Sequence, residues 1–244
     1  MIQLNNLTTG YSKNQPILQD FDYVFEDNKI YCILGESGCG KTTLLRTISG
    51  LTKPLSGEIL VDGVKVGKPN RNNIYMMHQS YTCFDWLNCL DNVLISKRVK
   101  GKVSKMDIIN AEEMLGKVHL LEHKTKFPRQ LSGGMRQRLA LARTLFTKPD
   151  ILLMDEPLSA LDSVTRTEMQ ELILNLHQST GNTIIMVTHS PEEADKMCDI
   201  KILLEKEGTQ HGKEHVGKDG IDKAYSIRGR LFSFFFVERD DSTS

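Results

Sequence analysis

Residues 35–42 read GESGCGKT, and this octapeptide constrains the chain more than any other stretch. It fits the pattern G-x-x-x-x-G-K-[ST] without exception. It follows the apolar run NKIYCIL and precedes Leu44, Leu45, Ile48 and Leu51, which recur at helical spacing until Gly50 and Pro54 end the pattern. A strand, a glycine loop and a helix in that order turn backbone N–H groups inward into an anion-binding nest, with the positive end of the helix behind it. The residues expected to line it are Gly35, Glu36, Ser37, Gly38, Cys39, Gly40, Lys41, Thr42 and Thr43. Lys41 is placed to reach the β- and γ-phosphates of a nucleoside triphosphate, and the Thr42 hydroxyl to ligate Mg2+. The loop specifies what is bound, not what the binding is used for.

A second stretch, ILLMDEP at 151–157, supplies the partner chemistry. An apolar strand ends in two acids, an arrangement that is costly unless something binds them. Asp155 is expected to hold Mg2+ directly or through water. Glu156 is expected to orient or deprotonate the attacking water.

The rest of the chain reads as short apolar strands alternating with helices, TIIMV at 183–187 among them. That pattern argues for a mostly parallel sheet covered on both faces. GEILVDGVKV reads as a hairpin turning at Asp62-Gly63. From about 81 to 130 the apolar spacing turns helical, with Ser104 as a cap and Ile108, Ala111, Leu115 and Val118 on one face. Met135, Leu139, Ala142 and Phe146 mark a further helix up to Pro149, and Met169, Leu172, Ile173 and Leu176 another. Ser190-Pro191-Glu192-Glu193 reads as a helix start. The tail is polar and turn-rich until RLFSFFFVE, a late aromatic strand.

Composition adds exclusions. The net charge is +0, which gives no support to a general nucleic-acid binder. No stretch approaches the roughly 18 to 20 apolar residues of a membrane span, and the N-terminus lacks the basic and apolar pattern of a secretory signal. The five cysteines form no CxxC pair, so structural zinc and a disulfide framework are not expected, and reduced thiols are the default. Cys39, inside the glycine loop, is expected to be open to thiol reagents.

QLSGGMRQRLALAR at 130–143 then narrows the possibilities. It resembles the signature of ABC ATPases, the nucleotide-binding subunits of ATP-binding-cassette transporters. Other marks of that family occur in order. Tyr11 resembles the aromatic that stacks on adenine. Gln79 in MMHQS resembles the Q-loop glutamine, SALD at 159–162 the D-loop, and His189 in VTHS the switch histidine. The resemblance covers roughly residues 4–204. It implies an α/β P-loop NTPase core with a mostly parallel sheet, an N-terminal antiparallel β subdomain and an inserted α-helical subdomain. The core would comprise 1–80 and 131–205, the insert 81–130, and the tail 206–244.

It also implies a mechanism. Two such chains pack head to tail with two ATP molecules at the interface. Ser132, Gly133, Gly134 and Gln137 of one chain then face the nucleotide held by the other. Gln79 approaches the Mg2+ alongside Thr42 and Asp155, while His189 and Glu156 act on the γ-phosphate and its water. Glycine in a helix costs roughly 1 kcal/mol against alanine, so two glycines opening the signature helix suit a close approach to its backbone.

The segment SYTCFDWLNCLDNVLI sharpens the resemblance toward bacterial importer ATPases of the nitrate, sulfonate and taurine type. It has Asp85-Trp86 and Asp91-Asn92-Val93 but lacks their proline. In that family the region around Gln79–Val93 receives membrane permease subunits. Trp86, the chain's one tryptophan, is either part of that docking surface or a core residue of the insert. The implied protein is a peripheral subunit on the cytoplasmic face of the membrane, powering import and serving a solute-binding protein indirectly. The alternatives are an exporter subunit, or a non-transport ABC ATPase acting on nucleic acid or in regulation. Thr42 and Asp155 lie too close in sequence for the long coiled coil of chromosome-organising members. Two departures from the family pattern are His78, where an aromatic is usual, and the loosely matching run DIKILLEKEG.

Overall fold

The computed structural model describes residues 1–12, 15–67, 73–78, 83–206, 226–229 and 232–238, the side chains as far as residue 204. Two sheets share the core. The smaller is antiparallel, of β1 (Ile2–Ser12), β2 (Gln15–Phe25), β4 (Ser56–Val61) and β5 (Val64–Lys65), ordered β2-β1-β4-β5. Its last hairpin turns at Asp62 and Gly63, both at positive φ, as the Asp-Gly pair led us to expect.

The larger sheet is built on β3 (Ile30–Leu34), β6 (Ile74–Met77), β7 (Ile151–Asp155), β8 (Thr183–Val187) and β9 (Ile200–Lys206), mutually parallel in the order β9-β3-β8-β7-β6. Strands β7 and β8 are buried at every residue, so apart from Asp155 and Thr183 at their ends their sequences are continuously apolar rather than alternating. The pleat still sorts them. Leu152, Met154, Ile184 and Met186 face one core, and Leu153, Ile185 and Val187 the other. The aromatic run of the tail forms β11 (Phe232–Glu238), which pairs antiparallel with β9 and carries β10 (Ser226–Gly229) outside it. The polar stretch before it, 207–225, lies outside the described residues.

Helix α1 (Lys41–Ile48) packs between the two sheets. It ends three residues earlier than its apolar spacing suggests, because Ser49 caps it and Gly50 takes a positive φ. Leu51 falls beyond it, exposed. On the other face lie α2 (Cys89–Lys100), α3 (Lys105–Lys117), α4 (Gly133–Phe146), α5 (Ser163–Thr180) and α6 (Pro191–Met197). The Ser104 side chain and Asp107 form a reciprocal capping box at α3. Ala111, Leu115 and Val118 pack inward as expected, but Ile108 sits at the edge of that stripe and is exposed. No described helix is long and apolar enough to cross a membrane.

Cys32 on β3 and Cys198 at the end of α6 lie side by side, with Cα atoms 5.9 Å apart at a sequence separation of 166. Spacing-based reading looks for short motifs and has no access to a juxtaposition made by the fold.

Candidate active site

Strands β3, β8 and β7 are neighbours, and the expected chemistry sits at their carboxyl ends, where ligands bind in open α/β sheets. Beyond β3 the loop 35–40 wraps tightly. Gly35, Gly38 and Gly40 have φ of 147°, 81° and 104°. A Cβ on Gly35 would lie 2.3 Å from the Leu204 carbonyl oxygen, and one on Gly40 2.2 Å from Cγ2 of Ile17, so no side chain fits at either position. Glu36, Ser37 and Gly38 are exposed, while Thr42 and Thr43 are half-buried in the first turn of α1. That turn has no acidic residue, which leaves its N–H groups for an anion. The Lys41 ammonium folds back over the loop and donates to the carbonyls of Gly35 at 2.7 Å and Glu36 at 2.8 Å.

Cys39 corrects an expectation. Its side chain is buried rather than presented to reagents, and burial pushes its thiol up, with Lys41 pulling it partly back. A thiol held protonated in this way is a poor nucleophile.

The Thr42 hydroxyl donates to the Asp155 carboxylate at 3.1 Å, across 113 residues of sequence. Asp155 is buried, and burial raises its carboxyl above the usual range. The Thr42 bond opposes the rise and neighbouring Glu156 adds to it. A desolvated carboxylate beside a hydroxyl is an oxygen donor set suited to a hard divalent cation, so these residues fit Mg2+.

Glu156 leaves β7 in the left-handed region, with φ 50°, a conformation a side-chain-bearing residue adopts only when its surroundings enforce it. Its N–H donates to the Val187 carbonyl at 3.0 Å. This turn brings its carboxylate to 3.6 Å from Nδ1 of His189, which follows β8 and is largely exposed. Nothing in the sequence signalled that backbone geometry.

Three residues that sequence reasoning missed hold the loops around this pair. The Thr188 hydroxyl donates to Glu193 at 2.6 Å and accepts from the Ser190 N–H at 3.1 Å. Arg166 lies 3.5 Å from the same Glu193 carboxylate and donates to the Leu161 carbonyl at 2.7 Å. Their only local signal was the acid after a helix-starting proline. Asp162 caps α5, accepting from the Thr165 N–H at 3.0 Å.

The remaining expected residues separate into groups. Tyr11 ends β1 with 82% of its surface exposed, open for stacking. Gln79 lies outside the described residues. Trp86 is 74% exposed, which removes the core-residue reading. Its ring lies 5.2 Å from that of Phe84, over which the Arg143 guanidinium sits at 5.1 Å. Ser132 caps α4, accepting from the Met135 N–H at 3.2 Å, and both Ser132 and Gly133 are exposed.

The two glycines of the signature have different reasons. A Cβ on Gly134 would meet the Ala160 carbonyl oxygen of its own chain at 3.3 Å, whereas a Cβ on Gly133 would meet nothing within 4 Å. Gln137 corrects a second expectation. It is fully buried, and its amide bonds within its own chain to the backbone of Glu156, Pro157 and Ala160, so it does not face outward to a nucleotide.

Comparison with known proteins agrees with this geometry. The family model described as ABC transporter matches residues 18–159. The taurine import ATP-binding protein TauB of Jannaschia sp. (strain CCS1) is 45% identical over 208 residues, covering 84% of this chain and 77% of the relative. The aliphatic sulfonates import ATP-binding protein SsuB of Zymomonas mobilis subsp. mobilis (strain ATCC 31821 / ZM4 / CP4) is 40% identical over 205 residues, covering 84% and 82%. Among solved structures, the dimeric post-hydrolysis state of the ATP-binding cassette MJ0796 bound to ADP and Pi superposes with a TM-score of 0.75 at 30% identity. That match covers 83% of this chain and 94% of the other.

Proposed function

The chain belongs to the ABC transporter family, and from that premise we propose that it is the ATP-hydrolysing subunit of an importer, acting as one half of a head-to-tail dimer. The observation that carries the reading is the meeting, at the ends of β3, β7 and β8, of the glycine loop, the Thr42–Asp155 pair and the Glu156–His189 pair. Import follows the relatives, which are import ATP-binding proteins for taurine and aliphatic sulfonates.

In this reading Gly35–Thr43 hold the phosphates of ATP and Tyr11 stacks on its base. Thr42, Asp155 and Gln79 would hold Mg2+, which would supply charge neutralisation at the phosphates. Glu156 takes a proton from water as its oxygen attacks the γ-phosphorus, and the bond to ADP breaks. His189, beside Glu156, steadies the γ-phosphate. Ser132, Gly133 and Gly134 close the same nucleotide from the partner chain, with the exposed Gly133 as the point of close approach. The γ-phosphate thereby favours the closed dimer, and hydrolysis releases it. Permease subunits dock near Gln79–Val93 and bury Trp86, which places the protein on the cytoplasmic face of the membrane.

The test is hydrolysis by the purified chain. ATPase activity should require Mg2+ and vanish with chelator. Lys41→Ala should weaken nucleotide binding itself, and Glu156→Gln should bind ATP while lowering kcat by about 10²–10⁴-fold, the range for losing a general base. Wild-type turnover by Glu156→Gln would refute the assignment.

A further inference from the structure

We propose that Gln137 is a positioning residue that ties the signature helix to the loop bearing Glu156, so that a partner's nucleotide engaged at Ser132 and Gly133 sets the catalytic carboxylate of the same chain. The inference rests on the head-to-tail assembly proposed above.

Gln137 lies one turn after Gly133 on α4 and therefore on the same helix face. Its side chain is fully buried, and both ends of the amide are used. Nε2 donates to the Pro157 carbonyl and, at 3.4 Å, to that of Glu156, while Oε1 accepts the Ala160 N–H at 3.1 Å. This is the orientation in which donors meet carbonyls and the acceptor meets an N–H. The other signature glycine leaves room for the same residue, since a Cβ on Gly134 would stand 3.3 Å from the Ala160 carbonyl oxygen. Helix α4 thus holds Ala160 through its N–H and passes close to its C=O.

The far side of the loop is held as firmly. Arg166 donates to the Leu161 carbonyl and pairs with Glu193, whose carboxylate accepts from Thr188, the residue before His189. A shift of the N-terminal end of α4 therefore meets a series of polar contacts, joined through the Ala160–Leu161 and Thr188–His189 peptide links, that leads to Glu156 and His189. Within the buried core a packed helix and a fully satisfied amide move as a unit rather than yielding continuously. Placing two sites under one element that both bias is the physical form that coupling requires.

Gln137→Met keeps length without hydrogen bonds, and Gln137→Glu restores a donor and an acceptor only when protonated. In the Glu156→Gln background, Gln137→Met should still dimerise with ATP. With Glu156 intact, it should lose at least about tenfold in kcat while KM for ATP changes less than about twofold. The kcat deficit of Gln137→Glu relative to the unsubstituted protein should shrink as pH falls from 8 to 6, and that of Gln137→Met should not. If Gln137→Met does not melt cooperatively, the pH comparison decides alone. A folded Gln137→Met with unaltered kcat, or a Gln137→Glu deficit flat with pH, overturns the coupling. Absence of ATP-dependent dimers in Glu156→Gln alone overturns the assembly, and the coupling with it.

Discussion

Replacing Gly133 by alanine should separate stability from function. Gly133 is the first residue of α4 behind the Ser132 cap, its φ is not positive, and an added Cβ meets nothing within 4 Å of its own chain. The fold therefore loses nothing to the methyl group, and the unfolded chain loses freedom, which stabilises by about 0.4–1 kcal/mol at a compatible site. For a chain of this size that is a rise of about 1–4 °C in Tm. Turnover should move the other way. In the proposed closed dimer the partner's γ-phosphate would approach the Gly133 backbone, and a methyl group there would push it off a preorganised N–H donor. Losing one such donor costs about 10²–10³ in rate. The assay is thermal melting alongside ATP hydrolysis and single-site nucleotide binding on the same preparation, with binding unchanged because Gly35–Thr43 are untouched. Wild-type turnover in a folded Gly133→Ala protein would refute the reasoning, since glycine would then be unnecessary there.

Trp86→Ala should change stability by less than about 0.5 kcal/mol, as for an exposed residue, and keep the ATPase activity of the isolated chain, while abolishing co-purification with a permease. Retained association would remove Trp86 from the docking surface. Burial holds the Cys83 and Cys89 thiols up to about 11 and raises that of Cys39, so the native chain at pH 8 should take up little iodoacetamide at these three positions. Rapid alkylation of Cys39, Cys83 or Cys89 in the native chain would contradict that burial. The Ser104 side-chain and backbone hydrogen bonds, helped by Lys97, lower the Asp107 carboxyl to about 2. A lowered folded-state value stabilises above the unfolded value of about 3.9, and that contribution is lost as pH falls through about 2. An NMR titration should therefore find the Asp107 midpoint near 2 and find it raised in Ser104→Ala. A midpoint at the unfolded value in the unsubstituted protein would rule out the capping box.

What was legible in the sequence was local. The glycine loop announces itself because its residues are contiguous and their conformations demand glycine. The central strands read correctly because burial on both faces forces continuous apolar runs. Asp155 and Glu156 stand out in the sequence for the same reason, as charges ending such a run. Gln137 shares a helix face with Gly133, but the surroundings change within one turn along that face: Gly133 at the helix start is exposed and Gln137 lies beneath the loop 156–160. Arg166, Thr188 and Glu193 meet only when α5 and α6 pack, and Cys32 finds Cys198 only when β3 lies beside the end of α6. The left-handed turn at Glu156 is imposed by tertiary contacts, the Val187 carbonyl among them, that no local pattern encodes.

The central claim is that the exposed Ser132–Gly133 surface completes a nucleotide site in a second copy of the chain. Light scattering of Glu156→Gln measures it most directly. With ATP, and hydrolysis blocked, the mass should double, and the additional substitution Gly133→Ala should return it to that of one chain. A protein that stays monomeric with ATP, or a monomer that hydrolyses ATP at the full rate, would contradict the account.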